Sequence, residues 1–148
     1  MVDEYTIVKS IHVLAAALWV GAGLAVNIAM TLGARSGEPS TMLVAMRFAK
    51  FLGTYVFPWL SLITLAFGIW LTESFYSWDL LWIQLGMAGL VVATAIGILY
   101  LGPKAAAGIA GIESGTPPPP GRNWVPIVAR LNLLLVMAIL VLMVIRPS

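Results

Sequence analysis

Lys9–Asn27 reads KSIHVLAAALWVGAGLAVN. This run is apolar over the roughly 18 residues that mark a membrane-spanning helix. It also contains His12, the only histidine of the chain. An imidazole in a lipid-facing segment has two ring nitrogens to satisfy without bulk water. Either the other segments build a site around His12, or the ring joins two helices. Taken at about 100° per residue, Tyr5, Lys9, His12, Ala16, Trp19, Gly23, Asn27 and Met30 share one helix face. That face holds the strongly polar residues of the span interior, together with small residues that admit a second helix. It is expected to face protein, with the Leu, Val and Ile side facing lipid.

The rest of the chain is equally apolar. Of 148 residues, 61% are hydrophobic and 9% charged, whereas soluble domains are about a quarter charged. Four runs account for the excess, at about 5–32, 41–72, 80–101 and 124–145. The expected fold is all-α: one transmembrane domain over 1–148, a four-helix bundle in contact with the lipid bilayer. Its expected place is the bacterial inner (cytoplasmic) membrane, as a multi-pass protein. The net charge is +2, with basic residues scattered over loops and helix ends, so no nucleic-acid partner is expected. There is no cysteine, which excludes disulfides, thiolate metal sites, cysteine-held iron–sulfur clusters and covalent c-type haem. The start MVDEY is acidic where a signal peptide needs a basic region, so a cleaved leader is not expected.

Residues 33–40, GARSGEPS, read as a turn, with Ser40 or Thr41 as the next N-cap. In the second span Arg47, Lys50, Thr54, Pro58, Ser61, Leu65, Gly68 and Thr72 share a face, and Pro58 should kink the helix. Residues 73–79, ESFYSWD, form a short boundary connection. In the third span Gly86, Gly89, Ala93 and Gly97 form a small-residue seam for close helix contact, open to a second copy or a larger membrane complex. Gln84, Ala88, Val91 and Ala95 line the opposite side. Residues 102–123 read as a loop whose four prolines, 117–120, favour polyproline II. Arg130, in the second turn of the last span, is placed to snorkel.

Arg35, Arg47, Lys50, Lys104, Arg122 and Arg130 lie on one side, against Lys9 and Arg146 on the other. The positive-inside rule then puts both termini outside the cytoplasm. His12 falls in the outer leaflet, level with Gln84 and near Met87.

All six acids are terminal or in loops, so an intramembrane carboxylate path or di-metal site is not expected. A transporter or channel is disfavoured, since no intramembrane charge marks a pathway. Two roles remain for His12. It can hydrogen-bond a neighbouring helix through Gln84, Ser61 or Thr64. Alternatively, its neutral imidazole can be a metal ligand, holding haem iron axially. Met87 is the best-placed second ligand, about 60° from Gln84 around the helix, and Lys9 can pair with a propionate.

The string Lys9-x-x-His12, with Trp19 seven residues on and glycines at 21 and 23, resembles the first span of a group of small bacterial membrane proteins. The group includes the haem-containing membrane protoporphyrinogen oxidases, the copper-resistance D family and uncharacterised four-span predicted integral membrane proteins. The four-span layout is most similar to the last. The resemblance implies b-type haem on the residue matching His12. In the oxidases a lysine on a later span is essential, following a tryptophan. Here the corresponding stretch is Trp82-Ile83-Gln84, without a lysine. The expectation is therefore a haem-binding membrane protein with an electron-transfer or haem-handling role, without that oxidase reaction. The alternative is a non-enzymatic accessory subunit of a membrane complex in which His12 only packs. Cofactor-binding candidates are His12, Met87, Gln84 and Lys9.

Overall fold

The computed structural model describes residues 3–116 and 123–145. Among these the chain is all-helical. It forms α1 (Glu4–Ser36), α2 (Pro39–Phe75), α3 (Leu81–Glu113) and α4 (Val125–Ile145), each long and apolar enough to cross a membrane. Consecutive helices run antiparallel. α1 packs against α2 and α4, and α3 packs against the same two, closing a ring. The core layer is Trp19, Leu90, Ala93 and Val136, flanked by Phe57, Leu60 and Leu65.

The N-terminus of α1 is capped by Asp3, whose carboxylate accepts from the Thr6 N–H at 2.8 Å. Its C-terminus is closed by Gly37 at φ 70°, a left-handed conformation suited to glycine. None of the eight residues of the expected protein-facing stripe is exposed. Ile7, Ile11, Leu14, Leu18, Leu24 and Ile28 point outward. The turn after α1 is shorter than expected. Residues 33–36 are helical, and α2 starts at Pro39 rather than after a Ser40 or Thr41 cap. Pro39 suits a helix start because its missing N–H has no partner there anyway.

Two prolines shape the bundle. In α2 a π-helical turn, Leu52–Val56, precedes Pro58, and the Phe57 N–H reaches the Leu52 carbonyl five residues back. In α3 the turn Gly97–Leu101 precedes Pro103, and the Gly102 N–H reaches Gly97. A proline ring clashes with the carbonyl four residues before it, and the wider turn makes room. Each π-turn also shifts the helix phase by about one residue. The expected α2 face nevertheless holds across the turn at Lys50, Thr54, Pro58 and Ser61, which border one cavity. Pro58, Ser61, Leu65, Gly68 and Thr72 are inward, while Arg47, Lys50 and Thr54 are exposed.

The expected loop from residue 102 is helical as far as Glu113. The wide turn absorbs Pro103 without ending the helix, and the following alanines are strong helix formers. The polyproline reading of 117–120 falls outside the described residues. At 33 residues, α3 is about 50 Å long, well beyond a hydrocarbon core of about 30 Å. The far end of α3 packs on the start of α2, with Gly108 set against Met46 and an Arg47–Glu113 ion pair at 2.6 Å.

The small-residue seam of α3 is covered by the chain itself. A Cβ on Gly86 would meet Met143 Cε at 2.8 Å, and one on Gly89 would meet Ile139 Cδ1 at 2.6 Å. α4 therefore occupies the Gly86, Gly89, Ala93 part of the stripe. This corrects the expectation that the seam is a surface for a second copy or another subunit.

Candidate functional site

His12 is brought inward by the α1 stripe and is only 8% exposed. Its Nδ1 lies 2.9 Å from the main-chain carbonyl of Thr64 on α2. A carbonyl only accepts, so Nδ1 carries the proton and donates. In the neutral ring Nε2 is then the nitrogen with the lone pair. Gly68, one turn further along α2, makes this approach possible. A Cβ there would meet His12 Cε1 at 3.1 Å and Nδ1 at 3.4 Å.

His12 lines a cavity of about 570 Å³ between the four helices, near the end that holds the start of α1. This volume lies within the roughly 300–1,000 Å³ of cofactor and small-molecule sites. The walls are mainly apolar, with Val13, Trp19, Leu71, Leu90, Ile139 and Leu140 among them. Trp19, Leu90 and Val136, from the core layer, also line it.

Toward the bundle end the lining turns polar and aromatic, through Lys9, Thr72, Tyr76 and Trp82. The Tyr76 hydroxyl is 2.7 Å from that of Tyr5, and its ring meets Trp82 edge-on. Lys9 Nζ sits 5.2 Å from the centre of the Tyr5 ring, a cation–π contact.

Three of the four candidate site residues, Lys9, His12 and Met87, line this one cavity. Gln84 does not. It is exposed, and its amide donates to the Trp78 carbonyl at 2.9 Å. That carbonyl precedes α3, so the glutamine side chain folds back over the helix start and away from His12.

Thr64 has two parts in this site. Its carbonyl holds His12, and its own hydroxyl, buried in the cavity wall, has no hydrogen-bond partner among the described residues. Gly68 and Trp82 are named in the sequence only as a face residue and as part of the Trp82-Ile83-Gln84 stretch, and Tyr76 only within residues 73–79, none of them as a site residue. The available signal was spacing alone: Gly68 follows Thr64 by one turn on the same face.

Among the described residues no three His, Cys, Asp or Glu side chains converge on a common point. His12 therefore offers a bare ion a single nitrogen of this kind. A porphyrin brings four nitrogens of its own and asks the protein for axial ligands and an apolar slot. The donor set here suits that second demand. No family model, curated protein or solved structure matches the chain.

Proposed function

We propose that the protein is a small integral membrane haem protein, with b-type haem held by Nε2 of His12, in an electron-transfer or haem-handling role. The observation that carries this reading is the 2.9 Å bond from His12 Nδ1 to the Thr64 carbonyl. Metal-ligating histidines characteristically donate their other N–H to a carbonyl or carboxylate, which fixes the tautomer and raises ligand basicity. Here that bond is made inside an apolar cavity of cofactor size.

In this reading Met87 is the candidate second ligand and Lys9 the candidate propionate partner, both from the lining of the same cavity. Bound haem would supply a one-electron couple. The chain would supply orientation, exclusion of water and an apolar surround. The first-span resemblance around Lys9, His12 and Trp19 supports the same assignment. The departure at Gln84 speaks against the oxidase reaction, and the exposed position of that residue agrees. The positive-inside asymmetry supports an outer-leaflet site in a cytoplasmic membrane with both termini outside.

A second reading rests on the same hydrogen bond: His12 joins α1 to α2 and does nothing more, in an accessory subunit of a larger complex. His12→Asn separates the two. An asparagine amide can still donate to Thr64, but it is a poor iron ligand. If haem is the role, His12→Asn folds normally and is colourless. If joining helices is the role, the variant keeps every property of the wild type.

A further inference from the structure

A second cavity, of about 490 Å³, lies on the opposite side of the core layer from His12. Trp19 and Val136 line both cavities and separate them. We propose that this inner cavity binds a hydroxyl-bearing, otherwise apolar molecule drawn from the bilayer, through the side-chain amide of Asn132. The proposal goes beyond the haem reading and does not depend on it.

The first observation is Asn132 itself. It is a polar residue in the apolar α4, one and a half to two turns in from Val125, and it lines the cavity. Its Oδ1 is occluded and accepts no hydrogen bond from the described residues. A buried acceptor without a donor is costly, and in hydrocarbon no water is at hand to supply one. The residue lines the cavity although this oxygen is occluded, and rotation about the soft χ2 of asparagine exchanges the oxygen with the amide N–H2 and brings it to the cavity. A ligand hydroxyl there satisfies it.

The second observation is independent of α4. Both π-turns flank the same cavity. The Phe57 and Gly102 N–H groups are committed to Leu52 and Gly97. Pro58 and Pro103 supply no N–H for the next carbonyls in register, those of Gly53 and Ile98. Gly53, Ile98 and both prolines line the cavity. The Ser61 and Thr94 hydroxyls, 3.3 Å apart, add two more polar groups to the wall.

The surround is therefore mainly apolar, with amide, hydroxyl and main-chain acceptors beside the hydroxyl and amide donors of its wall, and Lys50, the only charged side chain lining it among the described residues, is exposed. Such a wall selects a ligand that offers hydrogen-bond donors on an apolar body. A ring hydroxyl of a membrane quinol and the free hydroxyl of a diacylglycerol share this chemistry.

The test uses the full chain in phosphatidylcholine nanodiscs, with calorimetric titration of decyl hydroquinone and of its dimethyl ether, which has the same shape without donors. The wild type is expected to bind the hydroquinone saturably and at least tenfold more tightly than the ether. Asn132→Leu is expected to lose that preference, yet to melt at or above the wild-type temperature. Gly97→Leu points a side chain into space where a Cβ meets nothing within 4 Å, and is expected to bind neither probe.

Competition by dioctanoylglycerol, with the same dependence on Asn132, assigns the site to a lipid hydroxyl. Hydroquinone binding without such competition assigns it to a ring hydroxyl. The proposal is overturned if the wild type binds hydroquinone and ether equally or not at all, or if Asn132→Leu keeps the tenfold preference.

Discussion

His12 Nδ1 and the Thr64 carbonyl, 2.9 Å apart and 52 residues distant in sequence, tie α1 to α2 inside the apolar part of the bundle. The bond commits one ring nitrogen and leaves the other with its lone pair. His12→Ala removes the donor, leaves the Thr64 carbonyl with its helical partner alone and opens a hole beside Gly68. A loss of about 2–4 kcal/mol is expected from the lost bond and the cavity together. His12→Asn should recover a kcal/mol or more of this. Thermal melts in a single detergent compare the three proteins.

The neighbouring threonine hydroxyl behaves oppositely. Thr64 Oγ1 is buried without a partner among the described residues, whereas the hydrogen bond to His12 uses the main chain. Thr64→Val keeps the shape and the carbonyl and removes the orphaned hydroxyl. It should be neutral or stabilising by up to about 1 kcal/mol. A destabilisation beyond that, in the protein without added ligand, would show that the hydroxyl has a partner.

Gly86 and Gly89 should differ although both face α4. A Cβ on Gly86 meets the end of the flexible Met143 side chain. A Cβ on Gly89 meets both Cδ1 and Cγ1 of the stiffer Ile139. Gly89→Ala is expected to cost about 1–3 kcal/mol by overpacking, and Gly86→Ala less. Adding Ile139→Ala should largely relieve the Gly89→Ala penalty in a double-mutant cycle. Additive losses would contradict the contact.

The α1 N-cap should respond to acid. Hydrogen bonds from the Thr6 side chain and main chain hold the Asp3 carboxyl below its ordinary value. A depressed carboxylate contributes stability above its unfolded pKa, about 3.9, and loses it as pH falls through the lower folded value. Exchange protection of the Thr6 amide should therefore hold at pH 5 and decline toward pH 3. Asp3→Asn, which still caps, should remove the pH dependence.

Most of α1 was legible in the sequence because a regular 3.6-residue period carries its own phase. His12, Trp19 and Asn27 could be placed on one face without knowing any neighbour. The two π-turns are not legible in that way. Pro58 signals a disturbance but does not say that a residue is inserted into the turn, although Lys50, Thr54, Pro58 and Ser61 still border one cavity. Pro103 after Gly102 looked like the end of a helix for the same reason.

The expected depth match holds for Met87, which lines the His12 cavity, and not for Gln84. Rotation and local capping were not legible. Gln84 turns to the Trp78 carbonyl because that acceptor sits just ahead of the helix start. The α3 seam was recognised as a close-contact surface, but glycine spacing does not name the partner, which is α4 of the same chain.

The central claim is tested most directly by the visible spectrum of the purified protein, produced with ample haem supply and then titrated with haemin. The account predicts a Soret band near one haem per chain in the wild type, absent from a His12→Asn protein that still folds. A wild type that stays colourless and takes up no haemin, or a His12→Asn protein with the same Soret band, would contradict it.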